Sequence, residues 1–268
     1  MGNNEMKSEL QVHLQVRTPD IVISGVSDPG RVRIENEDSI WLDSQGHFML
    51  LADGMGGHER GAEASRTALK VIQEFLNPEQ ILKELLDITG GSGVPPEIVG
   101  TWSLVDKAIS KAASVLYTRN QELKLERYMG TTVVGLVPVA GRYFLWFHIG
   151  DSRLYRWRES SLKQLTVDHS AYVEWVNNGR SGKEPGKNII TRAIGPNSSV
   201  AADIEWDEWR HGDTYLICSD GLNDMLTDDK ITRILSTGKD MDDTALRLVE
   251  AANDAGGLDN ISAVLCGV

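Results

Sequence analysis

The sequence predicts an α+β protein, with antiparallel sheets covered by helices. Short apolar runs bounded by turn residues recur along the chain, as strands do. Two groups of longer segments with one apolar face interrupt those runs. The helical segments come in pairs and do not alternate with strands, which argues against a parallel, doubly wound sheet. A length of 268 residues, 41% of them hydrophobic, is enough for a large core. No repeat or linker divides the chain, so one domain over 1–268 is expected, with 1–20 as an N-terminal strand region.

Leu10, Val12, Leu14 and Val16 alternate with polar residues and predict a half-buried strand. Ile21–Val26 predicts a second strand, closed by the turn residues Ser27, Asp28, Pro29 and Gly30. Ser39–Leu42 and Phe48–Ala52 read as a pair hinged at Ser44-Gln45-Gly46, so the chain should open as an antiparallel meander. A helix is expected over Gly61–Leu76, with Ala68, Leu69, Ile72, Phe75 and Leu76 on one face. Residues 89–100, rich in Gly and Pro, read as a loop before a second helix over Ser103–Glu126.

Thr132–Val139 and Tyr143–Ile149 flank Ala140-Gly141 and predict a hairpin. Leu154–Trp157 continues the strand pattern, 168–178 suits a short helix, and 179–188 lacks any periodicity and reads as a mobile surface loop. Ala202–Trp206, Thr214–Cys218 and Ile261–Val268 read as strands. Before the last of these come two helices, the first capped by Asp228 and the second by Asp242 or Asp243. Trp206 and Trp209 are read as core or edge packing.

The formal charge is −12, from 27 Lys and Arg against 39 Asp and Glu. That balance argues against nucleic-acid binding, which needs clustered basic side chains. It suits a site that gathers a hard cation. No stretch approaches the roughly 18–20 apolar residues of a membrane span. The first twenty residues lack a signal-peptide core, and Met6 stands where a myristoylation motif wants Ser or Thr. Cys218 and Cys266 read as reduced core thiols. A cytoplasmic protein without a membrane anchor is expected.

Four segments place an aspartate at the end of an apolar strand beside glycine or a turn. They are Leu50-Leu51-Ala52-Asp53-Gly54, Phe147-His148-Ile149-Gly150-Asp151, Leu216-Ile217-Cys218-Ser219-Asp220-Gly221 and Gly257-Leu258-Asp259-Asn260. Asn36-Glu37-Asp38 precedes another strand. One Asp-Gly is an ordinary turn, but four such tips brought together would repel one another and raise each other's pKa. A divalent cation relieves that repulsion, and all-oxygen ligation selects Mg²⁺ or Mn²⁺. Two such ions about 3.5–4 Å apart would activate a water between them for in-line attack on phosphorus.

From about Ile21 to its C-terminus the chain resembles the metal-dependent protein phosphatases of the protein phosphatase 2C family, in their compact bacterial form. The motifs that carry the resemblance are Ser27-Asp28-Pro29-Gly30-Arg31-Val32-Arg33 with Asn36-Glu37-Asp38-Ser39; Ala52-Asp53-Gly54-Met55-Gly56-Gly57-His58; Gly130-Thr131-Thr132; Gly150-Asp151-Ser152-Arg153; Asp168-His169-Ser170; Ile190-Thr191-Arg192-Ala193-Ile194-Gly195; Cys218-Ser219-Asp220-Gly221-Leu222; and Asp259-Asn260-Ile261-Ser262. The resemblance implies a central β-sandwich of two antiparallel sheets flanked by helices on both outer faces. It also implies hydrolysis of phosphoserine and phosphothreonine by a hydroxide activated between two Mn²⁺ or Mg²⁺ ions.

By the same resemblance Asp53 bridges the ions and the Gly54 carbonyl binds one of them. Asp220 and Asp259 hold the other, and Glu37 and Asp38 act through metal-bound waters. Asp151 with Asp220 matches the pair that holds a weaker third ion. Arg33 matches the arginine that grips the substrate phosphate, while Arg31 reads as a solvated charge. Some family members carry a histidine where this chain has Met55, so the general acid does not carry over. His58 is read as structural, and Asp168-His169-Ser170 as a helix-capping turn. Residues 179–188 correspond to the family's variable flap beside the active site. The implied partners are a phosphorylated protein and a cognate Ser/Thr kinase. A catalytically inactive phosphopeptide-binding regulator of the same fold is the alternative.

Overall fold

A computed structural model describes residues 12–56, 60–86 and 93–268. Among the described residues, twelve strands form two antiparallel sheets. The first has the order β1 (Val12–Arg17), β2 (Val22–Asp28), β12 (Ile261–Gly267), β11 (Thr214–Cys218), β8 (Arg153–Arg158) and β9 (Ser161–Gln164). The second has the order β10 (Asp203–Glu208), β7 (Tyr143–Ile149), β6 (Val133–Val139), β4 (Met49–Met55) and β3 (Asp38–Leu42), with β5 (Gly130–Thr131) paired to the end of β4.

Period-two alternation assigns each strand's side chains to two different layers. Met49 and Leu51 of β4, Val134 and Leu136 of β6, Ile217 of β11 and Val264 of β12 fill the space between the sheets. Their neighbours face outward. Leu50 and Phe147 pack under α1 (Arg60–Phe75) and α3 (Pro96–Glu122), and Leu216, Ala263 and Leu265 pack under α7 (Met241–Asp254). The expected sandwich with helices on both outer faces is therefore the architecture. Cys218 and Cys266 are buried free thiols, pushed up to about 12 by burial. Trp206 stacks edge-on against Tyr143 and Trp209 leans on Phe144, so both are packing residues.

Several expectations change. The opening strands do not form one meander: β1 pairs with β2 and β3 with β4, but the chain crosses to the other sheet between them. Strands apolar on both faces belong inside a sandwich, and alternation alone does not say which sheet they join. β1 is an outermost strand and largely exposed, with only Val16 packing against the core between the sheets. Leu10 lies outside the described residues. The second long helix begins at Pro96, inside the expected loop, and α2 (Pro78–Leu86) precedes it unforeseen. Both helices start at a proline, whose missing N–H costs nothing in a first turn.

The expected short helix near 168–178 is α4 (Ala171–Asn177), with Ser170 as its cap. α5 (Asp220–Asn223) was not foreseen. The caps also shift: Thr227, not Asp228, precedes α6 (Asp228–Thr237), and Asp240 caps α7 by accepting from the Asp243 N–H at 2.8 Å. Asp228 instead sits in the first turn, where a carboxylate favours the helix dipole.

β6 and β7 approach too closely for a side chain at Gly135. A Cβ there would lie 2.4 Å from two ring atoms of Phe147 and 2.9 Å from Leu50. Both neighbours are fully buried. Gly135→Ala is expected to cost about 1–3 kcal/mol. The urea midpoint should fall at an unchanged slope.

Candidate metal centre

Strand pairing sets the positions of the acidic residues. In the register of β3 with β4, Asp38 stands directly across from Asp53. β11 and β12 are antiparallel neighbours, so the end of one lies beside the start of the other. Asp220, two residues past β11, and Asp259, two before β12, therefore arrive together. β7 leaves one sheet and β8 enters the other, with Asp151 in the turn between them. The two sheets meet here: Ser219 and Ser262 of the first donate to Asp38 Oδ2 of the second at 2.8 and 2.7 Å.

Glycine permits the close approach of β4 to α1. A Cβ on Gly54 would fall 2.0 Å from the Gly61 carbonyl oxygen. The Gly54 N–H donates to the Glu37 carbonyl, and the Gly61 N–H donates to Glu37 Oε1 at 3.1 Å. Thr132 accepts the Asp53 N–H, while Thr131 Oγ1 donates to the Asp53 carbonyl at 2.7 Å. Asn260 ties the Arg33 loop down. Its amide donates to the carbonyls of Pro29 and Glu35, and its oxygen accepts the Glu37 N–H.

The electrostatics match a cage of repelling carboxylates. Asp53 keeps some solvent contact at its strand end, but its carboxyl is hemmed in and rises well above its ordinary value. Burial is the largest cause, followed by Asp38, Asp220, Asp151 and Asp259. Burial pushes Asp38 up to about 7 against its two serine hydrogen bonds. Asp151 rises to about 7 by burial and then by Asp220. Asp220 rises to about 6 by burial and then by Asp259 and Asp224. Glu37 is raised by burial as well. Asp38 Oδ1 and Asp220 Oδ1 are buried and accept no hydrogen bond. Unsatisfied anionic oxygens at close quarters are the donor set a hard divalent cation takes.

Arg33 reaches into this cluster, its Nη2 donating to Asp259 Oδ2 at 2.7 Å. Arg31 is exposed. Arg153, the alternative partner for Asp151, instead makes a forked pair with Asp168 at 2.7–3.1 Å. Asp151 and Asp220 open onto a cleft of about 330 Å³ that Asp224, Tyr172, Lys187 and Asn188 also line. Lys187 lies over the Tyr172 ring, so the expected flap borders this cleft. His58 lies outside the described residues. A larger groove of about 800 Å³ runs between α1 and β3 and touches Asp38 alone of the cluster. Ser219, Ser262, Thr132 and Asn260 fall inside the motifs above, yet carry no chemistry that marks them for a task. Nothing local in the sequence reveals that they act across the gap between sheets.

Two sheets with acidic strand ends converging at one edge define a metal-dependent hydrolase. The chain belongs to the protein phosphatase 2C family, whose model (described as Protein phosphatase 2C) matches residues 32–265. Among similar proteins, the serine/threonine phosphatase Stp of Listeria welshimeri is 32% identical over 248 residues, 89% of this chain and 92% of its own. The crystal structure of the Mycobacterium tuberculosis serine/threonine phosphatase PstP/Ppp superposes with a TM-score of 0.79 at 31% identity, over 92% of this chain and 98% of that one. The catalytic domain of PstP in complex with two manganese ions superposes at 0.75 with 32% identity, over 92% of this chain and 97% of that one.

Carboxyls with raised pKa values bind more protons in the folded than in the unfolded state. Between the ordinary carboxyl range and about pH 7, stability of the metal-free protein therefore falls as pH rises. The melting temperature is expected to drop from pH 5 to pH 8 in chelator, and Mn²⁺ should raise it more at pH 8 than at pH 6. A flat profile, or an equal metal effect at both, would contradict the clustered-carboxyl geometry.

Proposed function

We propose that this protein hydrolyses phosphoserine and phosphothreonine monoesters on other proteins. The observation that supports this most is the carboxylate cage, in which Asp38, Asp151, Asp220 and Asp259 each raise a neighbour's pKa and two oxygens stand buried and unpaired. The relatives' printed names, serine/threonine phosphatases, point the same way. A phosphoryl group on a serine or threonine hydroxyl is placed there by phosphoryl transfer, so the enzyme's counterpart is a Ser/Thr kinase.

In this reading Asp53, the Gly54 carbonyl, Asp220 and Asp259 would together hold two Mn²⁺ or Mg²⁺ ions, Asp53 serving both. Asp151 joins Asp220 toward a weaker third ion. The ions, when bound, supply an acidified water and neutralise phosphoryl charge. Glu37, oriented by the Gly61 N–H, and Asp38, whose Oδ2 is held by two serines, orient ordered water. Arg33 grips the phosphate: a guanidinium has five N–H donors in a fork, so its bond to Asp259 leaves others for phosphoryl oxygens. Residues 179–188 stand where a substrate chain beside the cleft would meet them, through Lys187. The non-catalytic alternative draws no support here, because Asp53, Asp220 and Asp259 are all present and converge.

Asp53→Asn and Asp220→Asn are expected to lower Mn²⁺-dependent hydrolysis of p-nitrophenyl phosphate at least about a hundredfold. Arg33→Ala should reduce kcat/KM on a phosphothreonine peptide by roughly ten- to a hundredfold, and Arg33→Lys should restore only part, since an ammonium lacks the fork. Wild-type turnover in any of these variants would overturn the reading.

A further inference from the structure

His169 does not cap α4; Ser170 does, by accepting the Val173 N–H. Instead both polar groups of the Gly150 peptide unit are held by His169. The His169 N–H donates to the Gly150 carbonyl at 2.9 Å, and the Gly150 N–H donates to His169 Nδ1 at 3.1 Å. Gly150 needs this support, for it sits at φ +100°, in a conformation that a side chain would strain. On its other side it presses on Thr132, which would lie 2.6 Å from a Cβ there. Thr132 in turn shares a hydrogen bond with Ser152 at 2.8 Å. The next residue after Gly150 is Asp151.

The imidazole is itself fixed. It is buried and stacks on His148 with centroids 4.5 Å apart, and His148 Nε2 donates to the Val167 carbonyl. His169 Nε2 lies 3.2 Å from Asp203 Oδ2, off the axis of a good hydrogen bond, and Arg192 holds Asp203 from outside at 2.7 Å. His148, His169 and Asp203 are close enough to suggest a metal site of their own. The tautomer excludes it: a backbone N–H can only donate, so His169 Nδ1 offers its lone pair to Gly150 and Nε2 keeps the ring proton. No lone pair remains on Nε2 for an ion.

We propose that His169 is a positioning residue, which clasps Gly150 on both sides and thereby sets where the Asp151 carboxylate stands over the cleft. The proposal rests on Asp151 serving a cation, as in the function proposed above. Asn and Gln separate the two nitrogens of the ring. An asparagine oxygen occupies the place of Nδ1 and can accept from Gly150, whereas a glutamine reaches toward Asp203 and cannot.

The test is Mn²⁺ binding by calorimetry and by the rise in melting temperature, on full-length folded variants checked by circular dichroism. His169→Gln is expected to weaken the weaker class of Mn²⁺ sites about tenfold, as lost support for a metal ligand does, while His169→Asn stays near wild type. Placed on Asp151→Asn, His169→Gln should add no further loss. Equal losses in the Asn and Gln variants, or a full-sized Gln effect in the Asp151→Asn background, would reduce His169 to packing and overturn the proposal. If Asp151→Asn leaves Mn²⁺ binding intact while Asp53→Asn abolishes it, the clasp has no ligand to position and the proposal falls alone. If Asp53→Asn also binds Mn²⁺ normally, the proposed function falls with it.

Discussion

Mutual repulsion among carboxylates at one edge of the sandwich is the constraint on which the rest of the site depends. Asp38 and Asp53 face each other across one sheet, and Asp220 and Asp259 arrive side by side from the other. Left to themselves, Asp38, Asp53 and Asp220 oppose folding, as their raised pKa values show. The fold tolerates them because three apolar layers hold the strands in place regardless. The core therefore stabilises a cluster that is locally unfavourable, and a bound cation would turn that cost into affinity.

The supporting groups divide by the sheet they come from. Ser219 and Ser262 cross the gap to satisfy one oxygen of Asp38 and leave the other bare. Asn260 fastens the loop that carries Arg33, so the phosphate-binding candidate is tied to the strand end beside Asp259. Thr132 touches both the Asp53 backbone and the turn around Asp151. A change at any of these residues would be felt at the centre without altering a ligand. The carboxylate geometry is thus held by short polar side chains that carry no charge.

Cys218 illustrates how differently burial acts on groups without such company. Its thiol is raised by burial and stays an inert core group. The aspartates suffer the same desolvation but sit together with unsatisfied oxygens, and that difference separates a functional cluster from packing. Arg153, Asp168 and Gln164 form a neutralised network nearby, in which the charges satisfy each other.

The strands, the two helix groups and the acidic strand ends were legible from alternation, from 3.6-residue periodicity and from the repeated Asp beside Gly. Asp53, Asp151, Asp220 and Asp259 could be singled out because an aspartate ending an apolar run has a cost that local structure does not explain. Three things waited for the tertiary structure. The sheet each strand joins depends on pairing partners far away in sequence, so β2 and β3 look like neighbours but are not. The early start at Pro96 depends on packing, with Ile98 buried in the core, that overrides the Gly- and Pro-rich composition before it. The task of His169 depends on a backbone turn nineteen residues earlier. Local patterns record what each segment must bury; only the closed sandwich decides which distant segment buries it.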